Sequence, residues 1–306
     1  MDDNGEWRVF LGIDGFTINS PSFLLGKTIF HRVDDGFLDY VRNIHGGPGS
    51  AIPISFFCRE NLGSVAAELK TTGSQTEAVR TAIEKLELAL DGVLFLARRY
   101  VIHPYATRFT IRGRATPGEY TAYCINIAAR RAGQHTRHSF SRLPVEFGID
   151  DGDISSNSSL SHLHAILSAS SDELTDLEKR FRLGLHWYSK AFYSEYPADR
   201  LVFFVLILDL MLKRKGEQNY TAKVAKRLSK LLCSAEPARN VSPSDVSGVY
   251  RIRGDVVHDG LASVPDSVIN DVEDWVHALM YIALHNPKSW ASRDNLIDFI
   301  ENEIPN

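Results

Sequence analysis

The segment from Val249 to Gly260, VYRIRGDVVHDG, places Arg251, Arg253, Asp255 and His258 on a short stretch that reads as a helix end closed by glycine. These residue types suit phosphodiester cleavage. RNA transesterification needs a base for the 2'-hydroxyl proton, an acid for the leaving oxygen and a cation facing the phosphate. Histidine exchanges protons near neutral pH. Arginine stays charged and offers forked donors to phosphate oxygens. That route requires no metal or cofactor, and none is expected. On a helix Arg251 and His258, seven apart, share a face with Asp255 between them, whereas Arg253 and His258, five apart, diverge by about 140°. A helix that stops near His258, or a two-fold dimer that brings together two copies, would reconcile the latter pair. In the competing expectation, Arg253 bridges Asp209 or Asp255, and His258 meets the negative end of the helix dipole.

The elements that must position these residues have two textures. Over the first ~145 residues, WRVFLGI, KTIFHRV and AIPISFF are short β-branched runs separated by turn residues, and RFTIRGRA and EYTAYCINIAARR are strand-like. Between them, Val79, Ile83, Leu86, Leu90 and Leu94 recur at helical spacing. Residues 148–171 are rich in Ser, Gly and Asp and read as a linker. Beyond it the pattern is helical. Asp172 or Thr175 can cap a helix striped by Leu174, Leu177, Phe181, Leu185, Tyr188 and Phe192, and residues 199–214 form a helix apolar on most sides. Further helices follow around Val224, Leu228 and Leu231, from Ser244 to His258, and over 268–285. The expected fold class is α+β: a mixed α/β-sheet domain over 1–147, then an all-α antiparallel helical bundle over 172–306.

An arginine and a histidine in this spacing, inside an all-helical domain, resemble the HEPN superfamily, whose signature is an Arg, four to six residues, then His near the end of a late helix. Here the match is Arg253 and His258. The longer pattern Tyr250, Arg251, Ile252, Arg253, Val256, Val257, His258 and Gly260 resembles the ApeA-like branch, as does RFRLGLHWYSKAFYS followed by PADRLVFFVLILDLML. The chain has Gly254 where members commonly carry Asn or Asp, and Asp209 where the long buried helix often carries glutamate. The resemblance implies a metal-independent endoribonuclease used in antiviral defence or toxicity. It also implies a composite cleft in a homodimer formed through the bundle, and a neutralising or defence-system partner protein. Arg253 and His258 are its expected catalytic pair, with Arg251 and Asp255 beside them and Asp209 and Tyr250 in support. A bundle that has kept RNA or nucleotide binding but lost catalysis, and a dimerising scaffold, are the competing classes.

A second basic feature spans residues 98–142. Arg98, Arg99, Arg108, Arg112, Arg114, Arg130, Arg131, Arg137 and Arg142 face only Glu119 among acids there, and no lysine occurs. Arginine without lysine suits phosphate contact, so Arg108, Arg112, Arg114, Arg130 and Arg131 are expected to bind RNA. Docking onto acidic surface elsewhere is the equally weighted alternative. The formal net charge of -4 excludes a globally basic nucleic-acid-coating protein but not a local basic site. The histidine pairs His135/His138 and His162/His164 lack further ligands at metal spacing. No phosphate loop or nucleophile elbow is present. Trp187, Tyr188 and Trp275 read as core, and Asp271, Glu273 and Asp274 as a solvated face. Three scattered cysteines, an acidic N-terminus without a signal pattern, and an apolar run at 201–213 too short to span a bilayer lead to the expectation of a cytoplasmic protein with no membrane partner.

Overall fold

The structure is a computed structural model that describes residues 5–15, 17, 18, 20–45, 57–59, 61–97, 110, 111, 120–126, 131–137, 148, 149, 158–194, 196–260, 263–285 and 290–305. The chain divides into two compact units, residues 1–168 and 169–306. The first is a mixed α/β unit and the second a series of α-helices, giving an α+β architecture.

In the first unit the strands are Gly5–Asp14 (β1), Thr17–Ile18 (β2), Ser22–Leu25 (β3), Thr28–Arg32 (β4), Val65–Gly73 (β5), Thr110–Ile111 (β6), Tyr120–Asn126 (β7), Arg131–Arg137 (β8) and Gly148–Ile149 (β9). Its helices include Asp35–His45 (α1), Gln75–Ala97 (α2) and Ser158–Ser168 (α3). An antiparallel sheet runs β3-β4-β5-β1-β7-β8, with β6 paired to the end of β1, while β2 and β9 form a separate parallel pair. β1 is buried on both faces. Phe10 shares a cluster with Phe37 and Val41 of α1, whereas Trp7, Val9, Leu11 and Ile13 are buried on the alternate side. The helix α2 packs along β5 and β1.

Within the stretch 148–171, expected to be a linker, the described residues hold a helix. Residues 158–168 form α3, which packs on α2 and β3 and so belongs to the first unit. Its apolar island, Leu160, Leu163, Ile166 and Leu167, is buried. Glycines receive it: a Cβ on Gly26 would meet Leu167 Cβ at 2.9 Å, and one on Gly92 would meet Leu167 Cδ1 at 2.9 Å. Ser-rich composition hid a helix whose apolar face is only a few residues wide.

The second unit is a helical bundle of Asp176–Tyr193 (α4), Pro197–Leu212 (α5), Tyr220–Ala235 (α6), Pro243–Asp259 (α7), Asp266–His285 (α8) and Arg293–Asn302 (α9). Thr175 caps α4 with a capping box to Glu178, and the stripe Leu177, Phe181, Leu185, Tyr188 and Phe192 is buried as its spacing requires. The helix α5 is apolar nearly all round because it is central, touching α4, α6, α7, α8 and α9. Among the described residues, no helix is long and apolar enough to cross a membrane.

Candidate functional site

The helix α7 is sharply delimited. At its start Ser242 accepts from the Asp245 N–H (3.2 Å), Asp245 accepts from the Ser242 N–H (3.2 Å), and Pro243 follows with its φ already suited to a helix. At its end Gly260 adopts a left-handed conformation (φ 69°), and its N–H donates to the Asp255 carbonyl. The helix is therefore continuous through His258. Val246, Val249 and Tyr250 form its buried stripe. Arg253 continues that stripe one turn on and is half-buried, whereas Arg251, Asp255 and His258 are exposed. The structure thus sets Arg251, Asp255 and His258 on one face, and Arg253 on another. Arg253 and His258, five apart on a continuous helix, point about 140° apart.

What Arg253 approaches is a polar cluster at the end of α5. The Tyr250 hydroxyl, on a side chain only 7% exposed, donates to Asp209 Oδ1 at 2.6 Å. Burial pushes the Asp209 carboxyl above the usual carboxylate range; the Tyr250 hydrogen bond and the charges of Lys213 and Arg253 pull it partly back. Burial, then the neighbouring Asp209, raises the Tyr250 phenol well above its ordinary value. Two members escaped sequence reasoning. The Lys213 ammonium lies 3.6 Å from the Tyr220 ring centroid, and that ring stands edge-on to Tyr250 at 6.2 Å. Only the aromatic at the start of α6 and the cation after α5 signalled them, and neither falls in a motif.

The connection between α5 and α6 that carries Lys213 is held from below. Arg227 of α6 is 3% exposed and donates to both oxygens of Glu217 (2.6 and 2.7 Å), to the Leu212 carbonyl (2.8 Å) and to Glu301 Oε1 of α9 (2.7 Å). Glu217 also accepts from the Arg214 N–H at 3.2 Å, and Arg214 pairs with Asp298. The Arg227 guanidinium holds the Glu217 carboxyl down at about 2. This network fixes the segment that brings Lys213 to the Asp209–Tyr250 cluster.

Glu273 and Glu68 are the most deeply buried carboxylates among the described residues. Glu273, expected on a solvated face, is fully buried; the Tyr188 hydroxyl approaches Oε1 at 3.3 Å and Arg200 approaches Oε2 at 3.5 Å. Its neighbours Asp271 and Asp274 are exposed, as expected. In the first unit Glu68 of β5 is buried among Arg8 of β1 (3.0 Å), His31 of β4 (2.8 Å) and Tyr40 of α1 (2.7 Å). These donors hold the Glu68 carboxyl below its ordinary value against the opposing effect of burial. As an ionised carboxylate only accepts, His31 Nε2 is the donor.

Arg98, Arg99, Arg108, Arg112, Arg114, Arg130 and Arg142 lie outside the described residues. Arg131 and Arg137 begin and end β8, paired with Asn126 and Tyr120 of β7. Among the described residues, no group of three or more His, Cys, Asp or Glu is placed to hold a metal ion. Comparison of the chain with models of known families finds no match, and comparisons with curated proteins and with solved structures find none either.

Proposed function

We propose that the helical unit is a metal-independent endoribonuclease of the HEPN type that cleaves RNA by 2'-hydroxyl transesterification. The observation that carries this reading is the exposed His258 in the last turn of α7, on one face with Arg251 and Asp255, beside a stripe that ends in Arg253. In the reaction a neutral imidazole takes the 2'-hydroxyl proton as the 2'-oxygen bonds to phosphorus. The bond from phosphorus to the 5'-oxygen breaks, and a protonated imidazole returns a proton to that oxygen. A guanidinium of α7 meets the charge that builds on the phosphoryl oxygens. Association of two bundles about a two-fold axis would supply the second imidazole. Defence or toxicity is the setting that the resemblance suggests, with RNA as substrate and a neutralising protein as partner.

The test is incubation of the purified protein with total cellular RNA in EDTA, beside a His258→Ala variant. Cleavage should persist without divalent ions and fall roughly 10²-fold or more in the variant. Full activity of His258→Ala, or cleavage abolished by EDTA, would leave the binding reading in its place. We also propose that the arginine-rich span 98–142 captures RNA. Arg112→Ala with Arg114→Ala should weaken RNA affinity across sequences and lower its salt dependence. Unchanged affinity and salt slope would remove the span from the interface.

A further inference from the structure

Resting on the ribonuclease reading, the geometry points to Arg251, not Arg253, as the guanidinium that meets the phosphate in the same chain as His258, over a notch floored by Gly254. Four positions of α7 make one patch. Arg251 lies three residues before Gly254 and four before Asp255, and His258 lies four after Gly254 and three after Asp255. Residues three and four apart on a helix are surface neighbours, about 5–6 Å between Cβ atoms. Arg251 and His258 therefore stand at the two ends, with Asp255 on one side and Gly254 on the other.

Gly254 is the informative corner. It sits inside a helix, where glycine is the least favourable residue but proline. Neither backbone nor packing demands it. Its φ is not positive, in contrast to Gly260, and a Cβ placed on it would meet no atom within 4 Å. At Gly184 of α4 a Cβ would meet Met280 Cε at 3.1 Å, so packing accounts for that glycine, whereas Gly248 of α7 is as open as Gly254 but has no histidine three or four residues away. Gly254 instead leaves bare helix between a cation, a carboxylate and an imidazole. Such a floor admits close approach of a ligand to the backbone. Among the described residues, the side chains of Arg251, Asp255 and His258 have no hydrogen-bond or ion-pair partner. Arg253 is half-buried on the inward stripe rather than exposed, within the field of Asp209. The ligand this patch fits is a phosphodiester of single-stranded RNA, its phosphate toward Arg251 and its 2'-oxygen toward His258. Val257, 46% exposed and three residues from Gly254, adds an apolar rim for the ribose. Arg253, half-buried on the inward stripe, is then a positioning residue on the side of α7 that meets α5.

The probe is a 2'-O-methyl oligoribonucleotide, which binds but lacks the hydroxyl needed for cleavage. Its affinity for the full chain would be measured over a range of salt concentrations, with melting temperatures alongside. Arg251→Ala should weaken binding about tenfold and reduce the salt slope by about one phosphate contact. Gly254→Leu should weaken binding while keeping or raising the melting temperature, because the helix gains a better former as the notch fills. Gly254→Ala makes the same comparison with the smallest side chain should leucine disturb the fold. Arg253→Ala should lower the melting temperature and leave the salt slope unchanged. The inference is overturned if the wild-type protein does not bind, if Arg251→Ala keeps wild-type affinity and slope, or if a folded Gly254 variant binds as the wild type does. Should the binding pattern hold while the unmodified strand stays intact, the notch stands and the ribonuclease reading falls.

Discussion

At Tyr250 a single hydroxyl governs how the half-buried carboxylate of Asp209 is held. Tyr250→Phe removes that donor and leaves the ring packing intact, so the loss should be about 1–3 kcal/mol in denaturant unfolding. The same change removes the largest influence that lowers the Asp209 titration, so its carboxyl, followed by NMR, should titrate still higher. An unchanged titration would separate the two residues. Glu68 presents the stronger case. Glu68→Ala strands Arg8, His31 and Tyr40 around a void and should cost about 3–5 kcal/mol. Glu68 is depressed on folding, so its contribution is present above the ordinary carboxylate value near 4.5 and is lost as pH falls below it. These buried acids were poorly legible in the sequence, because a charged residue between charged neighbours reads as surface. Periodicity would have found Glu273: it lies four after buried Ile269 and three before buried Val276, on the inward stripe of α8. For Glu68 no such signal exists, since VAAELKTTG lacks clean alternation and both faces of β5 are covered.

Among elements, long stripes were legible and short ones were not. The helices α4 to α8 announce themselves because repeated Leu, Val and Phe at helical spacing outweigh local composition. The helix α9 has the same grammar in miniature, a capping box from Ser292 to Asn295 followed by Leu296, Ile297 and Ile300, but too few turns to stand out. Its role is to bring Glu301 to Arg227. Removing that guanidinium, as in Arg227→Met, leaves Glu217 with Lys223 at 3.3 Å as its remaining ion partner and should cost about 1–3 kcal/mol. The pH dependence has a definite sign. Glu217 is lowered from 4.5 to about 2, so its contribution is complete above 4.5 and fades as pH falls toward 2. Thermal melts between pH 5 and 2 should show a falling transition temperature whose slope is reduced in Glu217→Gln. An identical slope in the variant would show that the network does not set acid stability.

For the whole molecule, the change from short β-branched runs to helical stripes placed two units in the sequence, but composition alone put the boundary too early. A fragment of residues 1–168 retains α3 over Gly26 and Gly92 and should unfold cooperatively at higher denaturant than a fragment of residues 1–147. Equal midpoints would return residues 158–168 to the role of linker. Of the candidate site, residue types and the shared face of Arg251 and His258 at helical spacing were legible, whereas the continuation of α7 as a helix to Asp259, which keeps Arg253 on another face, was not. The central claim is that His258 drives attack by the 2'-hydroxyl, and the chemistry of the new RNA ends tests it most directly. After cleavage of a defined single strand, mass spectrometry of the 5' fragment should find a terminal 2',3'-cyclic phosphate, absent from the His258→Ala reaction. A 5' fragment ending in a free 3'-hydroxyl, with the phosphate on the other product, would contradict the account.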